Sequence, residues 1–224
     1  MAKDAPKVKV AKDGPYVVSG GLPLSRQLIV RDSEGDPLRW KQGRKVKAGK
    51  RYLLCRCGRS KEKPFCDNMH LKARFNGKET ASRMLFSKAA ETLKGPDLLL
   101  KDNESLCSGT GFCHRASGTW NLTMESDNPR SRETAIQQAC DCPSGRLVAC
   151  EKTGKPIEKD TKKSIGLVEE ITGKLNGPLW VRGGITLEGS DGKKYEVRNR
   201  MALCRCGRSR NKPFCDGAHF SVRS

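Results

Sequence analysis

Two segments of this chain carry the same spacing of cysteine and histidine. The first reads Cys55-Arg-Cys57-Gly-Arg-Ser-Lys-Glu-Lys-Pro-Phe-Cys66-Asp-Asn-Met-His70, the second Cys204-Arg-Cys206-Gly-Arg-Ser-Arg-Asn-Lys-Pro-Phe-Cys215-Asp-Gly-Ala-His219. Both obey C-x-C-x8-C-x3-H and together take up six of eleven cysteines and two of three histidines. Three thiolates and one imidazole at fixed spacing form a complete ligand set for a metal centre. The candidate ligands are therefore Cys55, Cys57, Cys66 and His70 in one copy, and Cys204, Cys206, Cys215 and His219 in the other.

Simple geometry says what must position them. In an extended segment, period-two alternation puts the Cys204 and Cys206 thiolates on one face. Cys215 and His219 are i and i+4, so a helix would set them one turn apart on one face. Asp216 and Gly217 suit the start of that helix, and Pro213 stiffens the turn leading to it. A structural zinc protein stands as an alternative, although structural zinc sites usually space their cysteines C-x2–4-C rather than C-x-C. Disulfides fit poorly: the cysteine count is odd and no secretory signal precedes it.

Both segments resemble the CDGSH (NEET) iron–sulfur family, whose pattern is C-x-C-x2-S/T-x3-P-x-C-D-G-S/A/T-H. The resemblance implies a 2Fe–2S cluster on each Cys3His set. Cys204 and Cys206 would hold the inner iron, and Cys215 and His219 the outer one; Cys55, Cys57, Cys66 and His70 take the same roles. Ser60 and Ser209 match the S/T position, and Pro64 and Pro213 the proline. The second copy matches throughout, whereas the first has Asn68 and Met69 where Gly and a small residue are expected. That change alters the surroundings of His70 without removing a ligand.

The duplication extends upstream. Gly14-Pro-Tyr-Val-Val-Ser-Gly-Gly-Leu-Pro-Leu24 mirrors Gly177-Pro-Leu-Trp-Val-Arg-Gly-Gly-Ile-Thr-Leu187. A hairpin is predicted after each, across Val30–Trp40 and Leu187–Val197, with Gly and Asp at the turns. CDGSH domains commonly pair through a shared β-rich region, so two copies in one chain imply an intramolecular pseudo-dimer.

The middle of the chain has its own pattern. Leu98-Leu99-Leu100 reads as a strand and is followed by Cys107-Ser-Gly-Thr-Gly-Phe-Cys113-His114. Ser131–Ala139 reads as a helix with Ser131 as N-cap, and it leads into Cys140-Asp-Cys142-Pro143 and a strand. This layout resembles half a bacterial ferredoxin, in the form of the divergent single-cluster ferredoxin-like domain found fused to CDGSH domains. Thr110 occupies the middle position of C-x2-C-x2-C. Cys107, Cys113 and Cys142 are then the ligands of a 3Fe–4S cluster, or of a 4Fe–4S cluster with a fourth ligand from Cys140, Cys150, His114 or solvent.

The fold class expected is α+β: two small β-rich CDGSH modules with an inserted ferredoxin-like βαβ domain. The domains expected are 10–80, 93–158 and 164–224, with a short helix in Ala81–Lys94 and an exposed connection at Glu151–Lys163 holding a turn at Lys152-Thr-Gly-Lys. With 35% hydrophobic and 5% aromatic residues, separate small cores stapled by metal are expected rather than one large core. The net charge of +19 favours acidic partners: an acidic redox protein or an apo-acceptor protein. Arg56, Arg59, Lys61 and Lys63 would partly offset the charge of the first cluster. No recognised nucleic-acid module and no stacking aromatics among the basic residues are legible. The N-terminus lacks an apolar leader and no apolar run is long enough to span a bilayer, so a cytoplasmic monomer is expected. With no nucleophile–base pair, phosphate loop or nucleotide fingerprint, electron transfer is the leading expectation, ahead of cluster storage, cluster transfer or redox sensing.

Overall fold

The computed structural model describes residues 5–171 and 176–221. Met1–Asp4, where the leader reading begins, lie outside these residues, as do positions 172–175 and 222–224 of the third expected domain. The chain opens with strands β1 (Lys7–Val10), β2 (Tyr16–Ser19), β3 (Leu24–Arg31), β4 (Pro37–Val46) and β5 (Tyr52–Leu54), then short helices α1 (Met69–Lys72) and α2 (Phe86–Ala89). Strands β6 (Glu91–Lys94) and β7 (Leu99–Asp102), helices α3 (Thr119–Met124) and α4 (Pro129–Asp141), and strand β8 (Leu147–Cys150) follow. Last come β9 (Ser164–Glu170), β10 (Asn176–Arg182), β11 (Thr186–Glu188) and β12 (Arg200–Leu203), followed by a 3-10 turn at Ala218–Ser221. The molecule is mixed α+β.

The two duplicated segments exchange a strand. One sheet has the order β11-β1-β2-β5 and the other β12-β10-β9-β3-β4. β1 and β2 pair antiparallel, as do β9 and β10. The strand that follows β2 leaves to pair in parallel with β9, Leu24 beside Ile165. The strand that follows β10 leaves to pair in parallel with β1, Leu187 beside Val8. Each sheet is therefore completed by the other segment. The cause is legible in the pattern. β1, paired on both edges, turns Val8 and Val10 to the core and Lys7 and Lys9 to solvent, whereas β9 is buried over five consecutive residues, as a strand covered on both faces must be.

This exchange corrects the expectation of separate cores. Val8, Val10, Tyr16, Val18 and Leu54 pack in one buried cluster with Ile165, Leu167, Leu179, Leu187 and Leu203, and Leu106 of the middle unit joins them. The apolar fraction is small, but two half-sheets pool it.

The middle unit is a three-stranded antiparallel sheet, β6-β7-β8, with α3 and α4 between β7 and β8. Its own core includes Leu98, Leu100, Leu122, Ala135, Ala139 and Leu147. It seats on the larger sheet through aromatic stacking. Trp40 of β4 lies between Phe112 (4.7 Å) and Trp180 (4.6 Å) and donates its indole N–H to the Asp141 carbonyl at 3.0 Å. Arg200 of β12, 3% exposed, donates to the carbonyls of Ala139 and Cys142 and pairs with Glu158 at 2.8 Å.

Several local expectations shift. The N-cap of α4 is Asn128, whose side chain accepts from the N–H of Arg130 and Ser131, with Pro129 at N1; Ser131 is inside the helix. Residues 81–94 hold only a one-turn helix before continuing as β6, because a strand of the middle sheet claims Glu91–Lys94. Both predicted hairpin turns form, at Asp32–Asp36 and Gly189–Lys193, but only the first returns as a long strand; the second returns as a single bridge at Lys194. The turn at residues 151–155 forms, closed by Glu151 and Lys155.

Tyr16 ties the exchange to both segments. Its hydroxyl, fully buried, donates to the Cys204 carbonyl at 2.8 Å and lies 3.0 Å from that of Pro213. Burial raises its pKa well above the ordinary tyrosine value, so it remains a donor. Tyr16→Phe is expected to cost about 1–2 kcal/mol. In hydrogen exchange, the Cys204 amide, which donates to Pro213, should speed up more than the Cys55 amide of Tyr16's own segment. Equal acceleration at both would contradict the cross-brace.

Candidate metal centres

Each cysteine–histidine loop is built by the same contacts. β5 and β12 end one residue before the first cysteine. Cys55 N–H donates to Pro64 and Cys66 N–H to Leu53; Cys204 N–H donates to Pro213 and Cys215 N–H to Ala202. These bonds fold the later cysteine back beside the C-x-C. Ser60 and Ser209 explain the S/T position: each hydroxyl donates at 2.7 Å to the carbonyl of Phe65 or Phe214, and accepts the N–H of Glu62 or Asn211 at 3.0 Å. Asp67 and Asp216 close the loop at its other end. Their carboxylates accept from Lys61 and Met69, and from Arg210 and Ala218, respectively.

The donors come together in pairs. The Cys55 and Cys57 sulfurs are 3.8 Å apart and those of Cys204 and Cys206 3.7 Å. Cys66 Sγ is 3.4 Å from His70 Nδ1, and Cys215 Sγ 3.4 Å from His219 Nδ1. A tetrahedral metal with thiolates at about 2.3 Å separates them by about 3.8 Å. Each pair has the separation of two donors on one metal. Among the described residues, no three His, Cys, Asp or Glu side chains converge on a single ion position. Donors gathered two by two fit a two-metal group better than a four-coordinate zinc ion. The helical expectation for Cys215 and His219 is corrected, since only the histidine lies on the helical turn and the cysteine precedes the capping aspartate.

The arginine between each pair of cysteines is a functional residue that the sequence reading misplaced. Arg56 is 1% exposed, not a surface charge. Its guanidinium donates to the carbonyls of Gly77 and Ala11 and lies over the rings of Tyr16 and Phe75. Arg205 donates to Gly177 and to Val168 and lies 3.6 Å from Glu169. The recurrence of C-R-C in both copies was the available signal. Each arginine anchors its loop to backbone carbonyls of neighbouring segments. Through the Cys206 thiol and backbone N–H groups of the loop, the Cys204 thiol is held well below the ordinary cysteine value.

The two loops meet. A side chain at Gly58 would stand 2.5 Å from the Cys206 carbonyl oxygen, and one at Gly207 2.5 Å from that of Cys57. Both glycines have positive φ, 75° and 80°. Only glycine meets both demands.

The two sites differ in cover. His219 is 4% exposed beneath the Phe220 ring, 4.4 Å away, and Phe220 packs on Gly109 of the middle unit. His70 is half-buried. Burial pushes His219 down to about 4.

In the middle unit Cys107 follows a 3-10 turn, Cys113 sits within another, and Cys142 caps α4. The Cys113 thiol is pushed up to about 11 by burial and by the neighbouring Cys142 and Cys107. Arg146 pairs with Asp102 at 2.6 and 2.9 Å, its charge near the Cys107 thiol. Thr110 is buried. Cys140 and Cys150 turn toward the carbonyls of Ile157 and Val148, and the His114 ring packs on Trp120. In these contacts Cys140 and Cys150 sit as buried core thiols.

Asn68 stands at φ 66°, where the second copy has Gly217 at φ 82°. A left-handed residue with a side chain costs about 1–2 kcal/mol, less for asparagine. Asn68→Gly should raise the denaturation midpoint, and Gly217→Asn should lower it. A drop for Asn68→Gly would mean that the asparagine side chain contributes more than its backbone strain.

The segments 13–71 and 176–220 match the family described as iron-binding zinc finger CDGSH type, and 93–152 matches the divergent 4Fe-4S mono-cluster family. Comparison with curated proteins and with solved structures gave no match. No described helix is long and apolar enough to cross a membrane. With two CDGSH-type segments flanking a divergent 4Fe-4S segment, the chain belongs in these stretches to those two families and is an iron–sulfur protein.

Proposed function

We propose that this protein transfers electrons through three iron–sulfur centres arranged in series within an internal pseudo-dimer. Two 2Fe–2S clusters would be held by Cys55, Cys57, Cys66 and His70, and by Cys204, Cys206, Cys215 and His219. Cys107, Cys113 and Cys142 would hold a 3Fe–4S cluster, or a 4Fe–4S cluster with a fourth ligand. Bound clusters supply one-electron redox chemistry. The observation that carries the reading is adjacency. Cys57 and Cys206 meet backbone to backbone through Gly58 and Gly207, and the Cys107 carbonyl lies 3.8 Å from where a side chain on Gly217 would begin. The chain's own part is to hold these donors rigidly, with Arg56 and Arg205 anchoring their loops and Arg146 near Cys107. Eleven free cysteines suit a reducing compartment such as the cytoplasm.

Redox titration of anaerobically purified protein, followed by low-temperature electron paramagnetic resonance, tests the series. Three separable signals are expected, and Cys107→Ser should abolish the middle one alone. Stoichiometric zinc without sulfide would overturn the proposal.

A second reading, cluster donation to an apo-acceptor, is favoured at the first site by the half-buried His70. An imidazole must be deprotonated at the nitrogen that binds metal. At buried His219 protonation sets in only towards about 4, whereas the unfolded chain takes up that proton near about 6.5. Over this window acid favours the unfolded state and drains stability as pH falls. Because His70 is half-buried and His219 is enclosed beneath Phe220, the first site should lose its visible absorbance at higher pH on acidification than the second. His70→Cys should slow that loss and lower the first site's potential, since it adds negative charge. Loss of both sites at one pH, unchanged by His70→Cys, would contradict the assignment.

A further inference from the structure

Above the contact between the two cysteine loops lies an open basin of about 590 Å3. Cys57 and Cys206 are in its lining, one from each duplicated segment. Arg59, Arg74 and Lys78 line it from the first segment, and Arg208, Arg210 and Lys212 from the second. No aspartate or glutamate lines it. Among the described residues, none of the six cations is within ion-pair distance of a carboxylate. Elsewhere the protein does pair its cations: Arg26 with Glu169, Arg115 with Asp141, Arg146 with Asp102 and Arg200 with Glu158. Six like charges drawn together around two thiols repel one another, and the fold leaves them without internal counter-charge. Such a concave, single-signed surface focuses its field outward and draws in groups of opposite charge.

We propose that this basin is the docking surface for an acidic one-electron carrier protein, which exchanges electrons with the protein at Cys57 and Cys206. The proposal rests on the electron-transfer reading above and adds where the partner sits. His219 cannot serve as the point of contact, because Phe220 and the middle unit cover it. Cys206 is half-buried and opens into the basin. In the step itself, one electron leaves the reduced centre of the carrier and enters the centre held by the first or second ligand set. The carrier is oxidised by one electron and no covalent bond forms or breaks. Because the basin straddles the contact between the two loops, one docked carrier faces both.

The test uses the full-length, cluster-loaded protein and a plant-type 2Fe–2S ferredoxin as the acidic probe, with binding read by calorimetry at low and at physiological salt. Lys78→Glu/Arg210→Glu reverses one basin charge from each segment, and neither residue is within two positions of a proposed ligand. Arg44→Glu/Lys45→Glu makes the same change in net charge on exposed residues of β4 that do not line the basin. The basin pair should weaken binding by about tenfold at low salt and flatten its salt dependence, with the β4 pair near wild type. Equal loss from both pairs would reduce the effect to net charge and overturn the proposal. So would inorganic tripolyphosphate that binds one to one and displaces the ferredoxin, which would make the basin a small-polyanion site. Redox titration of the same variants separates the two readings. Intact redox signals with no basin-specific binding sink the docking surface alone, whereas missing signals with basin-specific binding sink the electron series alone.

Discussion

Gly58 and Gly207 let the two cysteine loops lie backbone against backbone, each occupying space that any side chain on the other would need. This approach is possible only because the strands beneath have already been exchanged. β3 lies beside β9 and β11 beside β1, so the ends of β5 and β12 emerge next to each other rather than at opposite poles. The pooled core under the exchange, from Val8 and Tyr16 to Leu187 and Leu203, fixes the register of both. The placement of the two ligand sets relative to each other therefore follows from parallel strand pairing.

The symmetry of that arrangement is broken by what is added to it. The middle unit's aromatic stacking falls on one sheet, through Trp40, Phe112 and Trp180, and the unit covers the second site through Phe220 and Gly109. Two nearly identical ligand sets thus meet different surroundings: His219 is buried and His70 half-buried. Tyr16 adds a further difference. It braces the second loop from the first segment, while the duplicated position, Leu179, has no hydroxyl to return the bond. The chemistry of a duplicated site diverges here through its neighbours rather than its ligands.

The positive charge divides into parts with different physical roles. Arg56 and Arg200 are buried and Arg205 is largely enclosed, and each donates to backbone carbonyls, so they act as struts within the fold. The exposed cations of β4 lie along a sheet edge, where charge discourages pairing with another chain. The cations around Cys57 and Cys206 do neither, and remain available to something outside the molecule.

The sequence by itself determined the chemistry. Fixed offsets between Cys55, Cys57, Cys66 and His70, repeated at Cys204 to His219, are local, and the bonds that build each loop span thirteen residues or fewer, as Ser60 to Phe65 and Cys66 to Leu53 do. The upstream repeat and the turns at Asp32 and Gly189 were legible for the same reason, since their bonds close within a few residues. Cap and boundary were less so. Asn128, Ser131 and Pro129 are all acceptable near a helix start, and a one-turn helix competes with a strand whose partner is only supplied by β7. Which strands exchange, that two ligand sets share one core, that Arg56 is buried, and that Phe220 packs on Gly109 of the middle unit were decided by tertiary structure alone. Each depends on contacts between residues dozens to nearly two hundred positions apart, as between Tyr16 and Cys204. No local pattern of residue types encodes such a pairing.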